Sequence, residues 1–277
     1  MQFRLKNFLR ILVPFGLTQI LGVYAAFRFL PLFNLTEPVS FRALSVYDFL
    51  VLIVFVVLFF FVAIRFKKVG SIFFKVFLTL LIFSGSQSIL GIWFGSIVSA
   101  LLAVLVIALF WKIQNVITQN FAMILTIGGI GAMLGLSFQP LTVVYVLIIF
   151  SIYDIIAVYK TGHMIKLARS MIESRAIFGF VVPESDRGVG EKITSVAPGQ
   201  GFMILGSGDV IFPLLLAASL VRTSVAQSVL VAIFAMAGLL LMYLMFVKQK
   251  TRQPMAALPP IALMSIVGYL LAFALGF

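Results

Sequence analysis

Apolar residues run in blocks of about twenty, and most of the charged residues fall between the blocks instead of alternating with apolar ones. Period-two alternation would suit the strands of a membrane barrel. Continuous apolar runs instead predict helices crossing about 30 Å of hydrocarbon, with every backbone amide bonded within its own segment. Nine spans are predicted: Leu9–Phe27, Val46–Ile64, Phe73–Gly91, Phe94–Trp111, Phe121–Phe138, Leu141–Tyr159, Phe202–Val221, Val225–Val247 and Met255–Phe277. The third and fourth lie close together, and Ser84, Gly85, Ser86 and Gln87 dilute the third, so one re-entrant element is the alternative there. Six spans thus occupy 1–159, a long connection occupies 160–201, and three spans occupy 202–277. In the connection, Met164, Leu167, Ala168, Met171 and Ile172 recur at helical spacing with Lys166, Arg169 and Glu173 between them, which predicts an interfacial amphipathic helix. The following VVPESDRGVGEKITSVAPGQG reads as a loop.

Charge adds an orientation. With nine spans, 17 of the 20 Lys and Arg residues fall on the side of the N-terminus, and only Arg28, Arg42 and Arg222 fall on the other. Positive residues stay in the cytoplasm, so the expectation is a multi-pass cell-membrane protein with a cytoplasmic N-terminus, a cytoplasmic 160–201 connection and an external C-terminus. The first apolar run is read as a retained span and not as a cleaved signal peptide. Composition agrees: 63% of residues are hydrophobic, 10% are charged, and the mean hydropathy is +1.22. The net charge of +12 is then a topological signal and an attraction to anionic lipid heads. Scattered along one membrane face, the basic residues do not form a nucleic-acid site. With no cysteine, the chain has no disulfides and no Cys-based zinc or redox chemistry.

Of the eight acids, four lie in the long connection, Glu37 in the first external loop and Asp48 at the mouth of the second span. Asp154 and Asp209 remain as acids inside the hydrocarbon, where a carboxylate costs a few kcal/mol and faces the bundle interior with a partner. Asp154 precedes the cytoplasmic end of its span by about 8 Å and Asp209 follows the cytoplasmic start of its own by about 10 Å, on helices of opposite direction. They are therefore expected to partner each other. Two carboxyl groups in a low-dielectric site share one proton, and such a pair can activate water with one member and polarise a carbonyl with the other. Gly206 and Gly208 beside Asp209 let another backbone approach; close helix packing is the plainer reading of the same glycines. Helix packing is also the reading of Gly128, Gly129, Gly131 and Gly135.

Tyr153-Asp154 in the sixth span, Gly206-Ser207-Gly208-Asp209 in the seventh and Ala257-Leu258-Pro259 in the ninth resemble the YD, GxGD and PAL signatures of the presenilin and signal peptide peptidase family of intramembrane aspartyl proteases. The third signature departs from the family at its first position, where Ala256 stands for proline. The resemblance runs over essentially the whole chain. It implies an all-α membrane protein with nine transmembrane helices in a presenilin-like fold, and endopeptidase activity on single-span helical peptides within the bilayer. It implies Asp154 and Asp209 as catalytic residues, Tyr153, Gly206, Ser207 and Gly208 as their support, and Ala256, Ala257, Leu258 and Pro259 as a substrate-binding segment. No cofactor and no metal are expected, and a homo-oligomer is compatible with the chain. The prolines at 254, 259 and 260 independently disturb the start of the ninth helix and leave backbone groups for an extended substrate; a plain helix start with proline in its first turn is the alternative.

Two other classes share the paired acids. A cation or proton transporter uses intramembrane carboxylates, but the chain has no internal repeat. A prepilin-type peptidase also uses a GxGD aspartate, with a basic residue soon after; here Val210-Ile211-Phe212-Pro213 follows. His163 is expected in solvated loop, and Asp48 and Arg28 as interfacial anchors, with a pair at the external face as the alternative. Asn34-Leu35-Thr36 fits a glycosylation sequon on the external side, with a chance match as the alternative.

Overall fold

A computed structural model describes residues 5–33, 67–162, 171–184, 188, 190–193, 201–249 and 254–276. The helices are α1 (Leu5–Phe33), α2 (Lys67–Leu90), α3 (Ser96–Ile113), α4 (Val116–Ser137), α5 (Pro140–Ile155), α6 (Ser207–Ser219), α7 (Val225–Val247) and α8 (Leu258–Ala274). A π-helical turn, Ile156–Lys160, follows α5, and a 3-10 turn, Leu220–Arg222, follows α6. Two strands, β1 (Gly179–Pro183) and β2 (Phe202–Gly206), form one antiparallel pair in which Gly179 faces Gly206 and Pro183 faces Phe202.

Among the described residues, six helical segments are long and apolar enough to cross a membrane: Leu5–Phe33, Ser71–Leu90, Ser96–Ile113, Val116–Ser137, Pro140–Lys160 and Val225–Val247. α2 and α3 are separate helices joined by a turn over 91–95, each long and apolar enough to cross by itself. The expected second span, with Asp48, lies outside the described residues, as do Glu37, Asn34 to Thr36 and His163. Most of the expected amphipathic helix lies outside them too; residues 171–173 are helical.

Two expectations need correction. The fold is helical but not purely so, because residues 179–183 and 202–206 are strands. The seventh apolar helix begins at Ser207, not at Phe202. The late start of the helix has a plain cause: FMILG is an apolar run of five directly ahead of it, and periodicity alone cannot separate a short buried strand from a helical turn. β1 in turn corrects the loop reading at Val181, Val182 and Pro183, which pair as strand with β2.

α6 is the hub, packed against α1, α4, α5, α7 and α8, with every residue from Pro213 to Val221 buried. Lipid offers helices no hydrophobic drive to associate, so close contact through small residues has to hold them. Leu214 of α6 is nested between Gly22 of α1 and Gly131 of α4; a Cβ at either glycine would come within 2.5 and 2.6 Å of its methyl carbons. Gly135, one turn on, faces Ala218 in the same way, so the GAMLG spacing is a helix contact as read. α2 and α4 cross at Gly85 and Gly129, where an added Cβ on Gly129 would strike the Gly85 carbonyl. α7 and α8 meet through Gly238 against Ile261 and Gly268 against Phe234.

The strand pair is held to the bundle by α4. Phe178 and Glu184, at the two ends of β1, bond across to Ser207 and Gly201, so residues 179, 181 and 183 turn their backbone groups outward. Three side chains cover that edge. Gln119 Nε2 donates to the Ile177 and Gly179 carbonyls at 2.7 and 3.0 Å. The Asn120 amide donates to the Val181 carbonyl at 2.8 Å and accepts the Val181 N–H at 2.9 Å, as a neighbouring strand would. Arg10 donates to the Pro183 carbonyl at 3.1 Å. α4 is itself well begun: Asn115 and Thr118 form a reciprocal capping box at its N-terminus.

Candidate active site

Asp154 lies in the last turn of α5, immediately before the π-helical turn, and is 8% exposed. A π turn widens the helix locally and is often found at functional sites. Asp209 is the third residue of α6, not a mid-helix residue, and is partly exposed. α5 and α6 pack together, and the two carboxylates are close enough for their charges to interact. One turn deeper on each helix, Phe150 and Phe212 meet with ring centroids 4.6 Å apart. This ring pair floors the acid pair on the apolar side.

Each carboxylate is held at a helix N-terminus, although each by a different helix. Asp209 reaches back within its own first turn to the Gly206 N–H, the acidic half of a capping box. Asp154 receives the first turn of α8: the Leu258 N–H donates to its Oδ2 at 3.2 Å, and the Ala257 N–H also bonds to it. The first turn of a helix leaves four N–H groups without intrahelical partners, and its partial positive charge favours an anion. In α8 the next two residues are Pro259 and Pro260, which have no N–H, so the donors that remain are those aimed at Asp154. Among the described residues neither acid has a basic side-chain partner, and helix ends take that part.

The segment 254–257 is non-helical and α8 begins at Leu258, so proline in the first turn is what the structure shows. The expectation of free backbone groups there is corrected at two positions, because the Ala257 and Leu258 amides are taken by Asp154. Ala256 and Leu258 are buried, and Ala257 and Pro259 are partly exposed. Tyr153 is not drawn toward the acids: it is half exposed, its ring meets Phe150 at 6.4 Å, and its hydroxyl has no hydrogen bond among the described residues.

The glycines now differ from one another. Gly206 has ordinary extended backbone angles, so conformation does not demand glycine; space does, because a Cβ would stand 3.2 Å from Asp209 Oδ2. At Gly208 an added Cβ would meet only the Phe212 ring, at an ordinary 3.5 Å. No other described residue comes within 4 Å on that side.

From Asp209 to Arg222, α6 and its 3-10 turn run about 20 Å.

Sequence reasoning missed Gln19, Gln119 and Asn120. Gln19 is fully buried in α1 and donates to the Val210 carbonyl at 3.0 Å, bracing the turn that carries Asp209. A polar side chain inside an apolar run was the available signal in each case.

Residues 21–276 match the family model described as signal-peptide peptidase, presenilin aspartyl protease. Two solved structures, described as a presenilin family intramembrane aspartate protease in C222 and P2 space groups, share the fold. The first has a TM-score of 0.62 at 22% identity, covering 97% of this chain and 98% of the other. The second has 0.64 at 22%, covering 96% of each. Among curated protein sequences no significant match is found.

Proposed function

The chain belongs to the signal-peptide peptidase, presenilin family of aspartyl proteases, and we propose that Asp154 and Asp209 are the catalytic pair of this intramembrane protease. The carrying observation is their arrangement: two carboxyl groups on antiparallel helices, close enough to feel each other's charge, each met by backbone N–H groups at a helix end.

The chemistry uses water and one shared proton. The ionised carboxylate takes a proton from water as its oxygen attacks the scissile carbonyl carbon, while the protonated carboxyl hydrogen-bonds the carbonyl oxygen. The tetrahedral intermediate then breaks its C–N bond, and the leaving nitrogen receives a proton from the pair. No covalent enzyme intermediate and no cofactor enter the scheme.

A substrate has to present an extended backbone, since a helix hides its carbonyls in internal hydrogen bonds. β2 supports that reading. Its inner edge is paired with β1, while the outward groups of Phe202 and Ile204 have no partner among the described residues, and an open edge accepts an added strand. β2 runs straight into Gly206, Ser207, Gly208 and Asp209, so a strand added there passes the acids on the side of Gly208, where an added Cβ would meet only the Phe212 ring. Met255, Ala256, Ala257, Leu258 and Pro259 form the facing wall, with substrates entering sideways from lipid between α5 and α8. Tyr153 and Ser207 support the site through its shape.

The finer topology is part of the proposal: nine crossings, with the second over 46–64, a cytoplasmic N-terminus and 160–201 connection, and an external C-terminus. The partners are single-span helical peptides and the bilayer, not nucleic acid; a homo-oligomer is allowed.

Incubating the purified chain in lipid vesicles with a panel of single-span peptides, and sequencing the products, tests the reading. Cuts within the spans, suppressed by an aspartyl-protease transition-state analogue, are expected. An absence of cleavage accompanied by proton or cation flux across the vesicles would put the transporter in its place.

A further inference from the structure

A cavity of about 350 Å³ opens between α2, the C-terminal end of α3 and the segment ahead of β1, at the end of the bundle that carries the strand pair. Its lining includes Lys75, Val76, Leu80, Trp111, Gln114 and Arg175. Lys75 and Arg175 are exposed, and neither has an ion-pair partner among the described residues. Trp111 is fixed by a hydrogen bond from its indole N–H to Thr79 Oγ1 at 3.0 Å. Gln114 and Arg175 are also the two non-glycine residues with positive φ among the described residues, at 47° and 55°, a conformation uncommon for such side chains. Gln114 owes it to capping α3, and Arg175 follows the helical turn over 171–173.

A second cavity, of about 390 Å³, lies further along the same seam between α2 and α3 and is lined by Phe83, Ile97, Ala100, Leu101 and Val104 together with Ser96. α2 and α3 are antiparallel neighbours, and Val76 and Leu80 are exposed one turn apart on the way from one cavity to the other. The seam is thus charged at its outer end and apolar below. A phospholipid has the same division.

We propose that this seam binds an anionic phospholipid, its headgroup held by Lys75 and Arg175 beside Trp111 and an acyl chain lying along α2 and α3. Charge complementarity selects the anionic headgroup, since Lys75 and Arg175 meet one or more phosphate charges and no acidic side chain lines the cavity among the described residues. The apolar continuation favours a lipid over a free phosphate ion. Tryptophan at the level of the headgroups is the ordinary companion of such a site. The bound headgroup would also hold Arg175, and with it the turn that leads into β1.

The chain has two tryptophans, so Trp93→Phe leaves Trp111 as the reporter. The full W93F chain is reconstituted in vesicles containing phosphatidylglycerol or phosphatidylcholine brominated high on the acyl chain, at equal mole fraction. Bromine quenches indole at contact, and Trp111 is expected to be quenched several-fold more strongly by the anionic lipid. Lys75→Gln with Arg175→Gln should lower that preference roughly fivefold for each charge removed. Lys112→Gln, a basic neighbour outside the cavity, should leave it unchanged, and so should inorganic phosphate at matched ionic strength. Equal quenching by both lipids would overturn the proposal. A K112Q effect as large as that of the double variant would show only a diffuse positive face, and displacement by inorganic phosphate would show a soluble-anion site; either result also overturns it.

Discussion

Gly206 and Gly208 flank the same serine and answer to different constraints. At 206 the missing Cβ makes room for the Asp209 carboxylate, 3.2 Å from where the methyl would stand. At 208 an added Cβ would only touch the Phe212 ring, at an ordinary 3.5 Å, and would narrow the space beside the acids. Gly206→Ala should therefore move the carboxylate itself, and a displacement of a few tenths of an ångström to 1 Å at a reacting group lowers turnover by roughly ten- to a hundredfold. Gly208→Ala should fold with unchanged stability and lose activity mainly through weaker substrate binding. Kinetics of the two variants check this: kcat falls in the first, KM rises in the second, and the reverse pattern would contradict the assignment. The acids were legible in the sequence because a carboxylate in hydrocarbon needs a reason. The helix-end amides that hold them were not, because only folding brings Leu258 to Asp154.

At the scale of elements, the strand pair is the piece that sequence patterning concealed. GFVVP and FMILG are five-residue apolar runs with no alternation, since most of their side chains are buried or partly buried on both faces. The polar residues that betray the strands stand elsewhere, at Gln119 and Asn120 on α4, and their purpose appears only beside β1. Asn120 matches both backbone groups of Val181, which is fully buried. Asn120→Leu leaves that N–H and that carbonyl unsatisfied, at a cost of about 1 to 3 kcal/mol each. Hydrogen exchange at the Val181 amide should quicken by about tenfold or more, and cleavage should fall with it, because β2 and the Asp209 turn move with β1. Unchanged exchange in the variant would show that α4 does not hold the strand.

For the whole molecule, the apolar blocks were sufficient to find every described helix, because length and hydropathy are properties of the sequence alone. They misplaced the start of α6, where strand and helix run together without a polar break. Orientation rests on the distribution of charge, and the absence of cysteine makes it directly testable. A cysteine at Leu275 should react with a membrane-impermeant thiol reagent from outside the cell, and one at Glu191 only after the membrane is opened; the opposite pattern would invert the topology. The central claim is that Asp154 and Asp209 act together as one water-activating pair. The most direct measurement compares Asp154→Asn and Asp209→Asn with the parent chain in lipid, recording both the binding of a single-span peptide and its cleavage. The account predicts that each variant binds the peptide and that neither cuts it. Cleavage at the parental rate by either variant would contradict it.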